Sequence, residues 1–174
     1  VNRGKTIFIC DTSVIEYPDA NQLADMAKSA ARVVKLFGFD PKVAFLSHST
    51  FGQPVTDRTK RISDAVEILK KSNVDFKFDG EMQPDVALEE VYKELYPFSE
   101  IVGSSNVLIM PSQHSAAISY KMIKSMSRAK VIGPLLIGLG LPIEIAPLRS
   151  STSDIINLAS IAAYSADVID YKKN

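Results

Sequence analysis

With a single cysteine, Cys10, in 174 residues, the chain cannot close an internal disulfide, and one free thiol fits a reducing cytosol. Cys10 sits in the run KTIFICD with nothing nearby to activate a thiolate, so it reads as a small buried hydrophobe. A charge excess of either sign is equally absent. Twenty basic residues balance twenty acidic ones, which removes the electrostatic footprint of a general nucleic-acid binder. Two histidines beside one cysteine leave few members for a zinc or hydrolase constellation. His48, just past a strand, and His114, near a helix start, read as solvated or hydrogen-bonding residues rather than bases. There is no GxxxxGK(S/T) phosphate loop. Gly138 and Gly140 form only GxG, with no third glycine and no helix behind it, so dinucleotide binding is unsupported.

No apolar run is clean enough to enter a membrane. The longest, VIGPLLIGLGLPIEIAPL, reaches the roughly 18 residues of a minimal span, but three prolines, three glycines and Glu144 interrupt it. No signal peptide is visible. The start at Val1 rather than methionine gives the expectation of a piece of something longer.

What is present is a chain the size of one ordinary domain, 46% hydrophobic and 23% charged, which excludes disorder. Strand and helix signals alternate about five times. The run 5–11 predicts a strand; Pro18 and Asp19 open a helix whose Leu23, Ala27, Ala30, Val34 and Phe37 share a face, ended by Gly38. A buried strand follows at 43–46, then a helix marked by Ile62, Ala65, Val66 and Leu69. A weaker strand at 74–78 belongs at a sheet edge, with Asp79-Gly80-Glu81 as a turn. Pro84-Asp85 starts a helix through Leu95, closed by Pro97. A strand at 106–110, a helix at 115–126 and a strand at 143–145 come next. The last helix starts near Ser151, Thr152 or Ser153, with the stripe Ile155, Leu158, Ala159, Ala162 and Val168. Continuous apolar strands are buried on both faces, so the expected fold is a three-layer α/β/α arrangement around a mostly parallel, doubly wound sheet. The loop from Gly133 to Pro142 is the candidate hinge.

Ligands of such sheets bind beyond the carboxyl ends of the strands. There the sequence places Asp11-Thr12-Ser13, the loop 47–52 with Ser47, Ser49 and Thr50, then Asp79 and Glu81, Pro111-Ser112-Gln113, Gly133-Pro134, and 147–151. Small hydroxyls, glycines and carboxylates suit a polar cleft, although turns and helix caps require the same residues.

The pieces FICDTSV, KSAARVVKLFGFDPKVAFLSHSTFG, DGEMQPDVAL, NVLIMPSQHSAAISYKMI, GPLLIGLGLPI and SDIINLASIAA follow one another along nearly the whole chain. In this order they resemble the phosphotransacetylase (phosphate acetyl/butyryl transferase) family. The resemblance covers roughly the second half of that family's domain, in which two α/β lobes flank a cleft for coenzyme A and an acyl phosphate. It implies that residues 1–133 form the second lobe and that 134–174 return to the first as a strand and helix. HSTFG at 48–52 and DGEM at 79–82 look most like the phosphotransacetylase-like domain of bacterial NADP-dependent malic enzymes.

Gapless alignment sets Pro147, Leu148 and Arg149 against the Ser-Arg-Gly triplet of active transferases. Acyl transfer to a coenzyme A thiol needs a cation on the phosphate, and losing one such contact commonly costs about 3 kcal/mol in the transition state. Asp154 matches a family carboxylate thought to act as base, and equally suits a helix N-terminus. A shift of one residue instead puts Arg149 on the family arginine.

Two functions follow as expectations. One is a regulatory and assembly domain, inactive as an acyltransferase, that takes acetyl-CoA or coenzyme A as a small-molecule effector. It would belong to a malic enzyme whose NADP and divalent metal lie outside these residues. The other is an active phosphate acetyl- or butyryltransferase. The ligand-binding residues implied are Ser47, Ser49, Thr50, Asp79, Glu81, Pro111, Gly133, Arg149 and Ser150, with Asp154 and Arg149 as the catalytic candidates. The resemblance also implies a homo-oligomer in the cytoplasm, with no nucleic acid and no membrane as partner.

Overall fold

A computed structural model describes residues 5–11, 13–127 and 129–171, with side chains to residue 167. Thr12 and the side chain of Val168 therefore lie outside the described residues.

The elements run β1 (Phe8–Cys10), α1 (Ala20–Leu36), β2 (Lys42–Leu46), α2 (Asp57–Lys70), β3 (Lys77–Met82), α3 (Pro84–Leu88), a 3-10 turn (Glu90–Glu94), β4 (Val107–Ile109), α4 (Gln113–Met126) and α5 (Thr152–Tyr171). The four strands pair in parallel in the order β1-β4-β2-β3, with Phe8 opposite Val107 and Val43 opposite both Val107 and Phe78.

Period-two alternation sends each strand's side chains into two cores. Val43 and Phe45 of β2, with Val107 and Ile109 of β4, face α1 and α2; Ala44, Leu46, Leu108 and Met110 face α3, Ile101, Val102 and α4. The expected three-layer parallel fold is what forms. Burying Phe45, Leu23 and Leu69 completely is worth roughly 1.5–3 kcal/mol each. Ala24, Ala27, Ala30 and Ala31 line the inner face of α1 and let it lie close on the sheet. Its start is set by Asp19, which exchanges hydrogen bonds with Gln22 at 2.8 Å in both directions, a capping box.

The sequence misplaces three features. β3 occupies Lys77–Met82 rather than 74–78, so Asp79, Gly80 and Glu81 lie inside an edge strand and not in a turn. The ladder to β2 overrides their low strand propensity: pairing runs on to Leu46 opposite Met82, with Glu81 as the one extra residue on β3. The helix from Pro84 stops at Leu88 instead of Leu95. The carbonyls of Val86 and Ala87, which a longer helix would use internally, accept instead from the N–H groups of Gly103 and Ser105 at 2.9 and 3.1 Å.

The third feature is the strand at 143–145, which does not form. Ile143 and Ile145 are exposed, and a strand needs a ladder partner that the described residues do not supply there. Of the stripe expected on α5, Leu158 is buried, Ala162 half-buried, and Ile155 and Ala159 exposed. Tyr164 instead docks the helix on the end of α1, donating to the Leu36 carbonyl at 2.9 Å and stacking on Phe37. No helix among the described residues is long and apolar enough to cross a membrane.

Candidate functional site

Because all four strands are parallel, their carboxyl ends open on one edge, where the loops after Cys10, Leu46, Met82 and Ile109 meet. β1 and β2 lead into helices on one face, whereas β4 between them leads to α4 on the other, where Ala116 joins the second core. Loops that diverge in this way leave a crevice at the end of β4, the usual ligand position of an open parallel sheet.

The best-defined polar group at the carboxyl ends of these strands is the carboxylate of Glu81. It is 2% exposed, and an unpaired charge at that depth would be costly. Three donors meet it: the Ser49 hydroxyl at 3.0 Å, the Gly52 N–H at 2.7 Å and the Ser63 hydroxyl of α2. Burial raises the Glu81 pKa, but these donors, Ser63 first, outweigh it and hold the carboxyl below its ordinary value. Ser47 extends the network, its oxygen 3.0 Å from that of Ser49.

The loop carrying these hydroxyls closes on itself. Thr50 and Gln53 exchange backbone hydrogen bonds at 3.1 and 3.2 Å, Phe51 and Gly52 take positive φ, and the Thr50 hydroxyl accepts from Gln83 N–H at 3.2 Å. Phe51 then leans on Tyr96 and Phe98, with ring centroids 5.2 and 4.8 Å away.

Arg61 ties the other loops together. From α2 its guanidinium donates to the carbonyls of Pro18 and, at 2.8 Å, Pro111, and stacks 3.7 Å over the ring of Tyr17. Burial pulls its pKa down. A planar fork can hold two carbonyls and a ring at once, and an ammonium cannot. Arg61→Lys is therefore expected to lower stability by about 1–2 kcal/mol, read as a lower urea midpoint.

Asp11 serves its own loop, accepting from the N–H groups of Ser13, Val14 and Ile15 at 2.8–3.1 Å. Cys10 is half-buried, and burial with the nearby Asp11 charge pushes its thiol up to about 12. It is an inert thiol, as its sequence context implies. His48 and His114 are exposed. Among the described residues, no three His, Cys, Asp or Glu side chains are grouped to hold a metal ion.

Residues 1–163 match the profile of the family described as Phosphate acetyl/butaryl transferase. The chain belongs to that family. An NADP-dependent malic enzyme of Rhizobium meliloti (strain 1021) is 48% identical over 164 residues, covering 94% of this chain and 22% of that protein. A phosphate acetyltransferase of Bacillus subtilis (strain 168) is 35% identical over 166 residues, 94% of this chain and 51% of that one. A phosphotransacetylase from Streptococcus pyogenes superposes with a TM-score of 0.89 at 34% identity, covering 95% of this chain and 50% of that structure. The chain thus spans about a fifth of that malic enzyme and about half of the transferases.

Within this family member the candidate residues fall into two groups. Ser47, Ser49 and Glu81 share one network; Thr50, on the same loop, is held separately by Gln83, and Pro111 is held by Arg61. Asp79 stands apart, inside β3 opposite Ala44, its carboxylate accepting from Gly80 N–H at 2.9 Å. Gly133 lies in the irregular segment after α4.

Arg149 is exposed on a turn in which the N–H and hydroxyl of Ser150 both donate to the Pro147 carbonyl, at 3.0 and 2.7 Å. Asp154 accepts from the N–H and hydroxyl of Ser151 at 3.0 and 2.8 Å, which lowers its pKa and caps α5. Lys124 and Lys130 reinforce the effect from a distance. Among the described residues, no hydrogen bond or ion pair joins Arg149, Ser150 or Asp154 to the Glu81 network.

Sequence reasoning passed over Arg61 and Ser63. On α2 Arg61 and Ser63 flank the apolar Ile62 and read as solvated surface; only the fold brings their partners near.

Proposed function

We propose that this chain is a regulatory and assembly domain of a protein with NADP-dependent malic enzyme activity, that it takes acetyl-CoA or a related coenzyme A metabolite as effector, and that it does not itself transfer acyl groups. What supports this most is the pattern at 147–154. Pro147 and Leu148 stand where the family carries a hydroxyl and a cation. Asp154, the one remaining match, is engaged by Ser151 as a helix cap. The 48% identity to a malic enzyme points the same way.

The crevice suits the neutral parts of such a ligand. Ser47 and Thr50 follow β2 at that edge of the sheet with hydroxyls, whereas the cation of Arg61 is already engaged by two carbonyls. NADP and a divalent metal do not fit here: Gly138 and Gly140 lie in irregular backbone with no helix opening behind them, and no grouped ligands stand ready among the described residues. Both would belong to other parts of the protein, and no step through either is assigned to this chain.

The segment 134–174 would pack against a companion lobe. Leu139, Leu141, Ile143, Ile145 and Leu148, 48–105% exposed, would be covered there. Self-association in the cytoplasm completes the reading.

Regulation requires that acetyl-CoA bind two states with different affinities; a tenfold difference corresponds to about 1.4 kcal/mol of coupling. Malate turnover by the full-length protein is expected to change several-fold on adding acetyl-CoA. No change in rate, with no heat of binding in calorimetry, would sink the regulatory reading. Formation of acetyl-CoA from acetyl phosphate and coenzyme A would favour an active transferase with Arg149 as its cation.

A further inference from the structure

We propose that the cavity enclosed by the last turns of α1, by α5 and by the segment 135–144 is a binding site for a small aliphatic ammonium, with Glu144 as its counter-ion. The site goes beyond the effector reading and does not rest on it. α1 leaves the carboxyl end of β1 and runs back to the start of β2. Its C-cap, Phe37, stacks on Phe8, the first residue of β1, with ring centroids 6.1 Å apart. The cavity therefore lies toward the amino ends of the strands, away from the crevice.

The cavity holds about 100 Å³, and Val33, Leu36, Leu135 and Ile161 supply apolar wall. Glu144 shares this lining and is half-buried. Its carboxylate accepts one hydrogen bond, from the Leu136 N–H at 3.1 Å, and among the described residues no cation pairs with it. The two cations on the last turns of α1 are committed elsewhere. Lys35 pairs with Asp75 at 2.6 Å, and Arg32 donates to the Ser29 hydroxyl at 3.2 Å. Burial pushes the Glu144 pKa above its ordinary 4.5, with only the Leu136 N–H opposing. A carboxylate drawn out of water with one donor has an electrostatic demand that the surrounding side chains leave unmet.

The lining also selects the class of ligand. Calcium and magnesium take six or more oxygen ligands, and among the described residues no three His, Cys, Asp or Glu side chains are grouped. An anion would face the carboxylate with repulsion. A neutral molecule would fill the apolar space and leave the charge unpaired. An ammonium brings the opposite charge and three donors. One can meet Glu144 and another the Ser165 hydroxyl, which lines the same cavity and has no hydrogen-bond partner among the described residues. The Tyr164 hydroxyl is already spent on the Leu36 carbonyl. Size sets the rest: an apolar cavity of about 150 Å³ takes benzene, so this one admits roughly four or five non-hydrogen atoms.

The test is a ligand-observed NMR titration of the full-length protein at neutral pH. The probe is isobutylamine, charged under these conditions, with isobutanol and isobutyrate as its neutral and anionic counterparts. Isobutylamine is expected to bind in the millimolar range, about tenfold tighter than isobutanol, and isobutyrate not to bind. Glu144→Gln keeps the volume and removes the charge. It should weaken isobutylamine about tenfold and leave isobutanol unchanged. Val33→Phe fills the cavity from α1 and should abolish both; Ile161→Phe does the same from α5 if the first variant does not fold.

Equal affinity for the amine and the alcohol, or isobutylamine binding that Glu144→Gln leaves intact, overturns the assignment. Failure of the unsubstituted protein to bind isobutylamine overturns it too. Destabilisation by Glu144→Gln in that case would give the carboxylate to a cationic side chain elsewhere in the protein. Acetyl-CoA is titrated in parallel and keeps the two readings apart. Its failure to bind the unsubstituted protein counts against the effector reading alone, whereas its loss in Glu144→Gln would merge the two sites and overturn a separate ammonium site.

Discussion

Glu81→Ala is expected to destabilise the chain by about 3–5 kcal/mol, a large share of a single domain's stability. The side chain is 2% exposed and gathers the Ser49 hydroxyl, the Gly52 N–H and the Ser63 hydroxyl onto one carboxylate. Truncation strands those donors, and each unsatisfied buried donor costs about 1–3 kcal/mol. Glu81→Gln keeps the volume but turns an N–H₂ toward a donor, so it should fall between the two.

The same group fixes a pH dependence. Its folded pKa lies below the ordinary 4.5. Its contribution is therefore complete above that value and is lost as pH falls through the depressed folded pKa. Urea unfolding at pH 7 and at pH 4 measures both effects. Unsubstituted protein should lose part of this contribution at the lower pH, and Glu81→Ala should show a shallower acid limb. A cost under about 1 kcal/mol at pH 7 would mean that water replaces the carboxylate without penalty.

Gly103→Ala should be comparably severe for an unrelated reason. Gly103 has φ +69, where a side chain costs about 1–2 kcal/mol in itself. A Cβ there would also lie 2.6 Å from Glu90 Cα and 2.8 Å from both the Glu89 carbonyl oxygen and Glu90 N. These are backbone atoms and cannot swing away. Overpacking adds about 1–3 kcal/mol, for a total of about 2–5. Gly38→Ala is the control: φ is +80, but nothing lies within 4 Å, so only the conformational cost of about 1–2 kcal/mol remains. Equal losses for the two substitutions in thermal unfolding would show that the close approach at Gly103 relaxes freely.

Much of the fold was legible because the strands 43–46 and 106–110 are continuous apolar runs and α1 carries a capping pair, all of them local signals. β3 was misread because Asp79-Gly80-Glu81 has the composition of a turn; pairing with β2, a long-range effect, keeps it extended. The helix from Pro84 was overextended because the competition for its carbonyls comes from Gly103 and Ser105, more than fifteen positions on.

The hydroxyls of the candidate site were visible as a loop of small residues. Their organisation was not. Ser63 meets Glu81 across 18 positions, and Arg61 reaches carbonyls 43 and 50 residues away. Local periodicity carries no trace of such pairings.

The order β1-β4-β2-β3 places the last strand to emerge during synthesis between the first two. Until residue 109 has left the ribosome, β1 and β2 lack their shared neighbour, and two unpaired ladders face water. Separations of this kind slow folding and lengthen the window in which a nascent chain can pair wrongly. Circular permutants that bring 107–109 earlier in translation would shorten that vulnerable interval while leaving the finished sheet the same.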